Sequence, residues 1–72
     1  MGEVETLVRI VENGRGSVAQ RALVIEELGD IAGRGSKSAY DSLADIAADG
    51  HQPEMLRETA RHCLIEQRQS RQ

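Results

Sequence analysis

Residues 4–28, VETLVRIVENGRGSVAQRALVIEEL, recur in pattern as residues 40–64, YDSLADIAADGHQPEMLRETARHCL, displaced by 36. Leu7 corresponds to Leu43, Ile10 to Ile46, Gly14 to Gly50, Arg21 to Arg57 and Leu28 to Leu64. Val4/Tyr40, Val8/Ala44, Val11/Ala47 and Asn13/Asp49 are conservative pairs in the same register. A period of this size is the signature of stacked helical repeats, in which one supersecondary unit covers its apolar face with the next. The duplication predicts an all-α chain of two antiparallel helical hairpins stacked as a short pair, with a compact four-helix bundle as the alternative.

Local patterns place the helices. Val4, Leu7, Val8 and Val11 form one stripe from Glu3 to about Asn13, and Asn13-Gly14 stops it. Ser17 followed by Gln20 has capping-box spacing for a second helix reaching about Ala32. Its apolar residues Ala22, Leu23, Val24, Ile25, Leu28, Ile31 and Ala32 spread over more than one face, which predicts neighbours on two sides. Ser36 or Ser38 caps a third helix to about Asp49, with Tyr40, Leu43, Ala44 and Ala47 as its stripe. After Gly50, Pro53 is a favoured first residue for a fourth helix. That helix carries Leu56, Thr59, Ala60, Cys63 and Leu64 on one face and Glu58, Arg61, Ile65 and Arg68 on a mostly polar one. The reading is one domain over 1–72, with unit one at about 3–32, unit two at about 36–66, and fraying expected over 67–72, which has no apolar anchor.

The stretch from Asp49 through Pro53 and Arg57 to Ala60 and Leu64 resembles the turn and second helix of a HEAT or HEAT-like repeat. Arg21, Val24, Leu28, Gly29 and Ile31 resemble the same helix in the preceding unit, with Val24 where the family usually has Ala. The resemblance covers nearly the whole chain and implies stacked hairpins that bind other proteins. It also implies structural roles for Asp49, Arg57 and Arg21, since the turn Asp and the helix Arg commonly bond between adjacent units; Asn13 replaces the first Asp.

Composition limits the rest. A 72-residue core is marginal without idealised packing, a staple or a partner subunit. Tyr40 is the single aromatic, so the core must be Leu, Ile, Val and Ala. The lone Cys63 excludes an intrachain disulfide and fits a reducing compartment. The longest apolar run, Ala22–Ile25, is far short of a bilayer span, and no secretory signal precedes the first helix, so a soluble, cytoplasmic protein with no membrane association is expected. Met1-Gly2-Glu3-Val4-Glu5-Thr6 matches the N-myristoylation pattern by letter, but its two acids would be repelled by an anionic surface.

Candidate chemistry is sparse. Gly33-Arg34-Gly35-Ser36-Lys37-Ser38 has phosphate-loop residue types, but Ser36 separates Gly35 from Lys37 and a helix precedes it, so it reads as a connector with a cap. His62 and Cys63 are adjacent on a helix and point about 100° apart, which rules out a proton-sharing pair. His51, His62 and Cys63 lack zinc spacing. Asp41, Asp45 and Asp49 form a row that reads as a solvated face. No catalytic residue, cofactor site or metal site is expected, and no enzyme activity.

The expected function is a small protein-interaction module, an adaptor or an inhibitor-type binding protein, with Glu58, Arg61, Ile65 and Arg68 as its partner surface. The fourth helix would cap the stack, and self-association to a homodimer would cover the first hairpin through Ile10 and Ala22 or Ile25. The alternative is a nucleic-acid-associated factor using Arg57, Arg61, Arg68 and Arg71. The net charge of −3, the interrupting Glu54, Glu58 and Glu66, and the lack of stacking aromatics oppose it.

Overall fold

The computed structural model describes residues 2–14 and 16–70, with backbone alone for 68–70. The chain forms four helices, α1 (Glu3–Glu12), α2 (Val18–Gly33), α3 (Lys37–Ala48) and α4 (Glu54–Ser70), with no strand among the described residues. Displaced by 36, the end of α1 falls on the end of α3, and the start of α2 on the start of α4. The duplication is therefore structural as well as sequential.

Each helix begins and ends for a local reason. Gln20 N donates to Ser17 Oγ and Ser17 N donates to Gln20 Oε1, both at 3.1 Å, so the capping box at the head of α2 is complete. Ser36, rather than Ser38, caps α3 by accepting from Ala39 N at 3.2 Å. Gly14, with φ of +67°, takes the left-handed conformation needed to reverse the chain after α1. Pro53 stands one residue before α4, and its carbonyl accepts from Leu56 N and Arg57 N at 3.0 and 3.2 Å. It acts as the cap residue, not the first helical one.

The helices pack as two hairpins side by side in a slab of 36 × 28 × 17 Å. The thinnest dimension suits two helical layers, whose axes pack about 8–10 Å apart. α2 packs against all three other helices, α3 against α2 and α4, and α1 mainly against α2; α1 and α4 do not pack together. Leu7 and Val11 from α1, Ala22, Ile25, Leu28 and Ala32 from α2, Ala39, Leu43 and Ile46 from α3, and Leu56, Ala60 and Cys63 from α4 make one continuous core. The spread of apolar residues around α2 is thus explained by its central position.

Equivalent positions of the two units differ in burial, and the differences map the joint between units. Ile46 is 4% exposed whereas Ile10 is 42% exposed. Ala39, Leu56 and Cys63 are buried, while their counterparts Glu3, Gln20 and Glu27 are exposed. Conversely Ala22, Ile25 and Gly29 are buried, and their counterparts Glu58, Arg61 and Ile65 are exposed. The first set faces unit one and the second faces unit two.

Three expectations require correction. The α3 stripe is Ala39, Leu43 and Ile46, with Ala44 exposed, because α3 must meet unit one as well as α4. Ala22 and Ile25 are sealed beneath α4 and offer no surface for self-association. Helix α4 continues to Ser70, and Gln67 is anchored by a hydrogen bond from its Nε2 to Gly29 O at 2.7 Å, so a frayed segment does not begin at 67. Residues 71 and 72 and the side chains of 68–70 lie outside the described residues.

Helices α2 and α4 approach closely at Gly29. A Cβ there would lie 2.7 Å from Cys63 Sγ and 3.1 Å from Cys63 Cβ, so only glycine permits this helix separation. Gly29→Ala is expected to destabilise the fold by about 1–2 kcal/mol, the overpacking cost outweighing the gain in helix propensity. Urea denaturation checks this, and Cys63→Ala in the same chain should make the combined loss smaller than the sum of the two single losses.

Candidate functional site

An open groove of about 900 Å³ runs between α2 and α4. Its floor follows from helical spacing: Gly29 and Gly33 lie one turn apart on α2, and Cys63 and Gln67 lie one turn apart on α4. Cys63 seats on Gly29, and the Gln67 amide lies across Gly33 with atoms 3.2–3.7 Å from where a Cβ would be. The small residues admit a long polar side chain between helices, and the Gln67 bond to Gly29 O satisfies it.

The walls are charged. Glu26 and Asp30 come from α2, and Glu58, His62 and Glu66 from α4; Arg34 is the single arginine or lysine of the lining. Arg34 is held by Asp30 at 3.0 Å, and His62 Nδ1 lies 3.4 Å from Glu66 Oε1. Thr59, also on the wall, donates its hydroxyl to Met55 O at 2.7 Å within its own helix. The groove therefore has a negative excess and suits a basic ligand.

Cys63 is buried at the groove floor, and its Sγ lies 4.0 Å from Ile25 O. Burial raises the thiol pKa above its ordinary value, and the carboxylates Glu66 and Glu26 raise it further. The sulfur is held as a thiol and serves packing, consistent with its place on the apolar stripe.

The expected partner residues fall at two edges of α4. Glu58 lines the groove, and Glu58 Oε1 accepts from Arg61 Nη1 at 2.8 Å. Arg61 and Ile65, the latter 49% exposed, lie on the end face turned away from unit one. The Arg68 side chain lies outside the described residues. Thus Glu58, Arg61 and Ile65 occupy one helix but do not converge on one cavity.

The residues given structural roles behave differently from expectation. Asp49 Oδ1 accepts from His51 N at 2.9 Å, closing its own turn, and no ion pair joins it to Arg21 or Arg57. The Nε atoms of both arginines are shielded from water without a hydrogen-bond partner. The aliphatic stems of arginine can still cover apolar surface. The connector Gly33–Ser38 presents no cradle: Ser36 caps α3 and Lys37 binds Asp41 at 2.9 Å.

What the sequence reading missed is the groove itself. The signal was the Gly29/Gly33 spacing of four residues, matched by Cys63/Gln67, which marks a flat strip opposite a ridge. Comparison with protein-family models, with curated proteins and with solved structures finds no match to this chain. No helix of the described residues is long and apolar enough to cross a membrane.

Two consequences of the Cys63 site can be measured. Folded protein should react with iodoacetamide near neutral pH at least about tenfold more slowly than urea-unfolded protein. Because the folded thiol titrates above its ordinary value of 9.0, its contribution to stability is complete below that value and is lost as pH rises through the folded one. A urea midpoint that fell with rising pH equally in wild type and Cys63→Ala would remove Cys63 as the cause.

Proposed function

We propose that this chain is a small protein-interaction module, of adaptor or inhibitor type, with no catalysis of its own, and that the exposed face of α4 is its partner surface. The observation that carries the reading is the exchange at equivalent positions. Ile25 and Gly29 are buried beneath α4, whereas their counterparts Arg61 and Ile65 face solvent. In a stacked repeat this is the face a further unit would cover, and a large apolar side chain beside an arginine is a composition typical of protein interfaces. The HEAT-like reading belongs to the same proposal and draws its support from the side-by-side hairpins and the 36-residue correspondence of their ends.

The neighbouring groove supports binding over chemistry. Its one thiol is protonated and buried, and its carboxylates line an open trough instead of a closed pocket. A cytoplasmic place of action fits the lone thiol. Binding of nucleic acid by the arginines draws less support, since Glu54, Glu58 and Glu66 interrupt their row and the chain carries a net charge of −3.

Ile65→Glu tests the surface. Circular dichroism should show the helical content unchanged, since the side chain is half in water, while affinity capture from the source cell should lose the stoichiometric partner retained by wild type. Equal recovery by both proteins would show that the α4 face is not the docking surface. Oligonucleotide binding that fell steeply with salt would instead favour nucleic acid.

A further inference from the structure

We infer that the α4 face of one molecule receives the unit-one end face of a second copy of this chain, repeating between molecules the stacking that joins the two units within one. The inference rests on the reading of α4 as a docking surface and names what docks there.

The internal joint supplies the template. Within the chain, Cys63 Sγ lies 4.0 Å from Ile25 O and directly over Gly29, and Gln67 donates to Gly29 O at 2.7 Å. Moving each side of that joint to its equivalent 36 residues away replaces Ile25 and Gly29 by Arg61 and Ile65 on one copy. On the other copy it replaces Cys63 and Gln67 by Glu27 and Ile31. The contact of Cys63 with the Ile25 carbonyl brings Glu27 near Arg61, its seat over Gly29 lays the stem of Glu27 along Ile65, and the contact of Gln67 with the Gly29 carbonyl brings the half-buried Ile31 near Ile65. One pair of opposite charges and one pair of apolar side chains thus come together. Ile65 in place of Gly29 sets the helices farther apart than in the internal joint, and the longer Glu27 side chain spans the added distance to Arg61.

The wider faces agree in character. The unit-one end exposes Leu23 at 64% and Ile10 at 42%, beside the exposed carboxylates Glu3 and Glu27. The α4 end offers Arg61 with Ile65, beside the half-buried Arg57 and the exposed Glu58. The Arg61 bond to Glu58 is an exposed pair and is exchanged at little cost. A two-fold dimer through unit one would instead gather the carboxylates Glu3 and Glu27 of both copies into one interface. Because two different faces meet, each added molecule leaves one face of each kind free, and association continues past the dimer.

Sedimentation velocity of the full chain, over roughly two decades of concentration up to about 1 mM, reads this out directly, a range suited to a small interface. Wild type should progress from monomer through dimer to larger species. Ile10→Arg and Ile65→Glu should each be monomeric, and their mixture should form a one-to-one dimer and nothing larger, since one live face of each kind remains. Glu27→Arg and Arg61→Glu should each weaken association about tenfold or more, and the double reversal in one chain should restore it. Circular dichroism confirms that each variant is folded. A wild type that stays monomeric overturns the inference, as does a closed dimer that Ile65→Glu leaves intact. A monomeric wild type whose external partner is still lost on Ile65→Glu overturns it while leaving the binding-module reading in place.

Discussion

The close approach of α2 and α4, with Gly29 beneath Cys63, is the constraint on which the remaining arrangement depends. A Cβ at Gly29 would lie 2.7 Å from the Cys63 sulfur, so the axes stand closer there than side chains would otherwise allow. That proximity lets Gln67 reach the Gly29 carbonyl and draws the end of α4 onto α2. It also determines the groove, since two helices meeting over glycines leave their charged flanks, Glu26 and Asp30 on one side and Glu58 and Glu66 on the other, as opposing walls. One missing methyl group thus links packing, the order of the α4 terminus and the shape of the surface.

With so few residues and one aromatic, this core has little apolar volume to spend. Leu28, Leu43, Leu56, Ile25 and Val11 are fully buried, and alanines at 22, 32, 39 and 60 let the helices approach around them. Among the described residues the buried side chains are all apolar or sulfur-bearing, so no ion pair among them must be desolvated. The polar specificity of the fold lies at its edges instead, in the Ser17/Gln20 box, the Ser36 cap and the Asp49 turn.

Legibility in the sequence followed the range of the interaction. The four helices, the all-α class and the Ser17/Gln20 capping box were readable because they depend on neighbours within about four residues, where periodicity and capping chemistry act. The buried face of α4, centred on Leu56, Ala60 and Cys63, was readable for the same reason, as was the exposed polar face bearing Glu58 and Arg61. Ala44 and Ile46 were not. Both are apolar and both fit a stripe, and only the position of unit one determines that Ile46 is inside and Ala44 outside. Gln67 was misread because its partner lies 38 residues away. The groove escaped notice because it belongs to two helices at once.

The sequence by itself determined that the chain is helical, that its helices come in two similar pairs, where the first three start and stop, and which residue types could fill a core. Those properties are written in local hydrogen-bonding needs and in the period of apolar side chains. The tertiary structure alone decided which of two equivalent positions would be covered. Ile10 and Ile46 match across the duplication, yet one faces water and the other faces a neighbouring unit. The physical reason is that burial belongs to a pair of surfaces. A stack of two units has one internal joint and two ends, and the same residue acquires a different role according to which of these it meets.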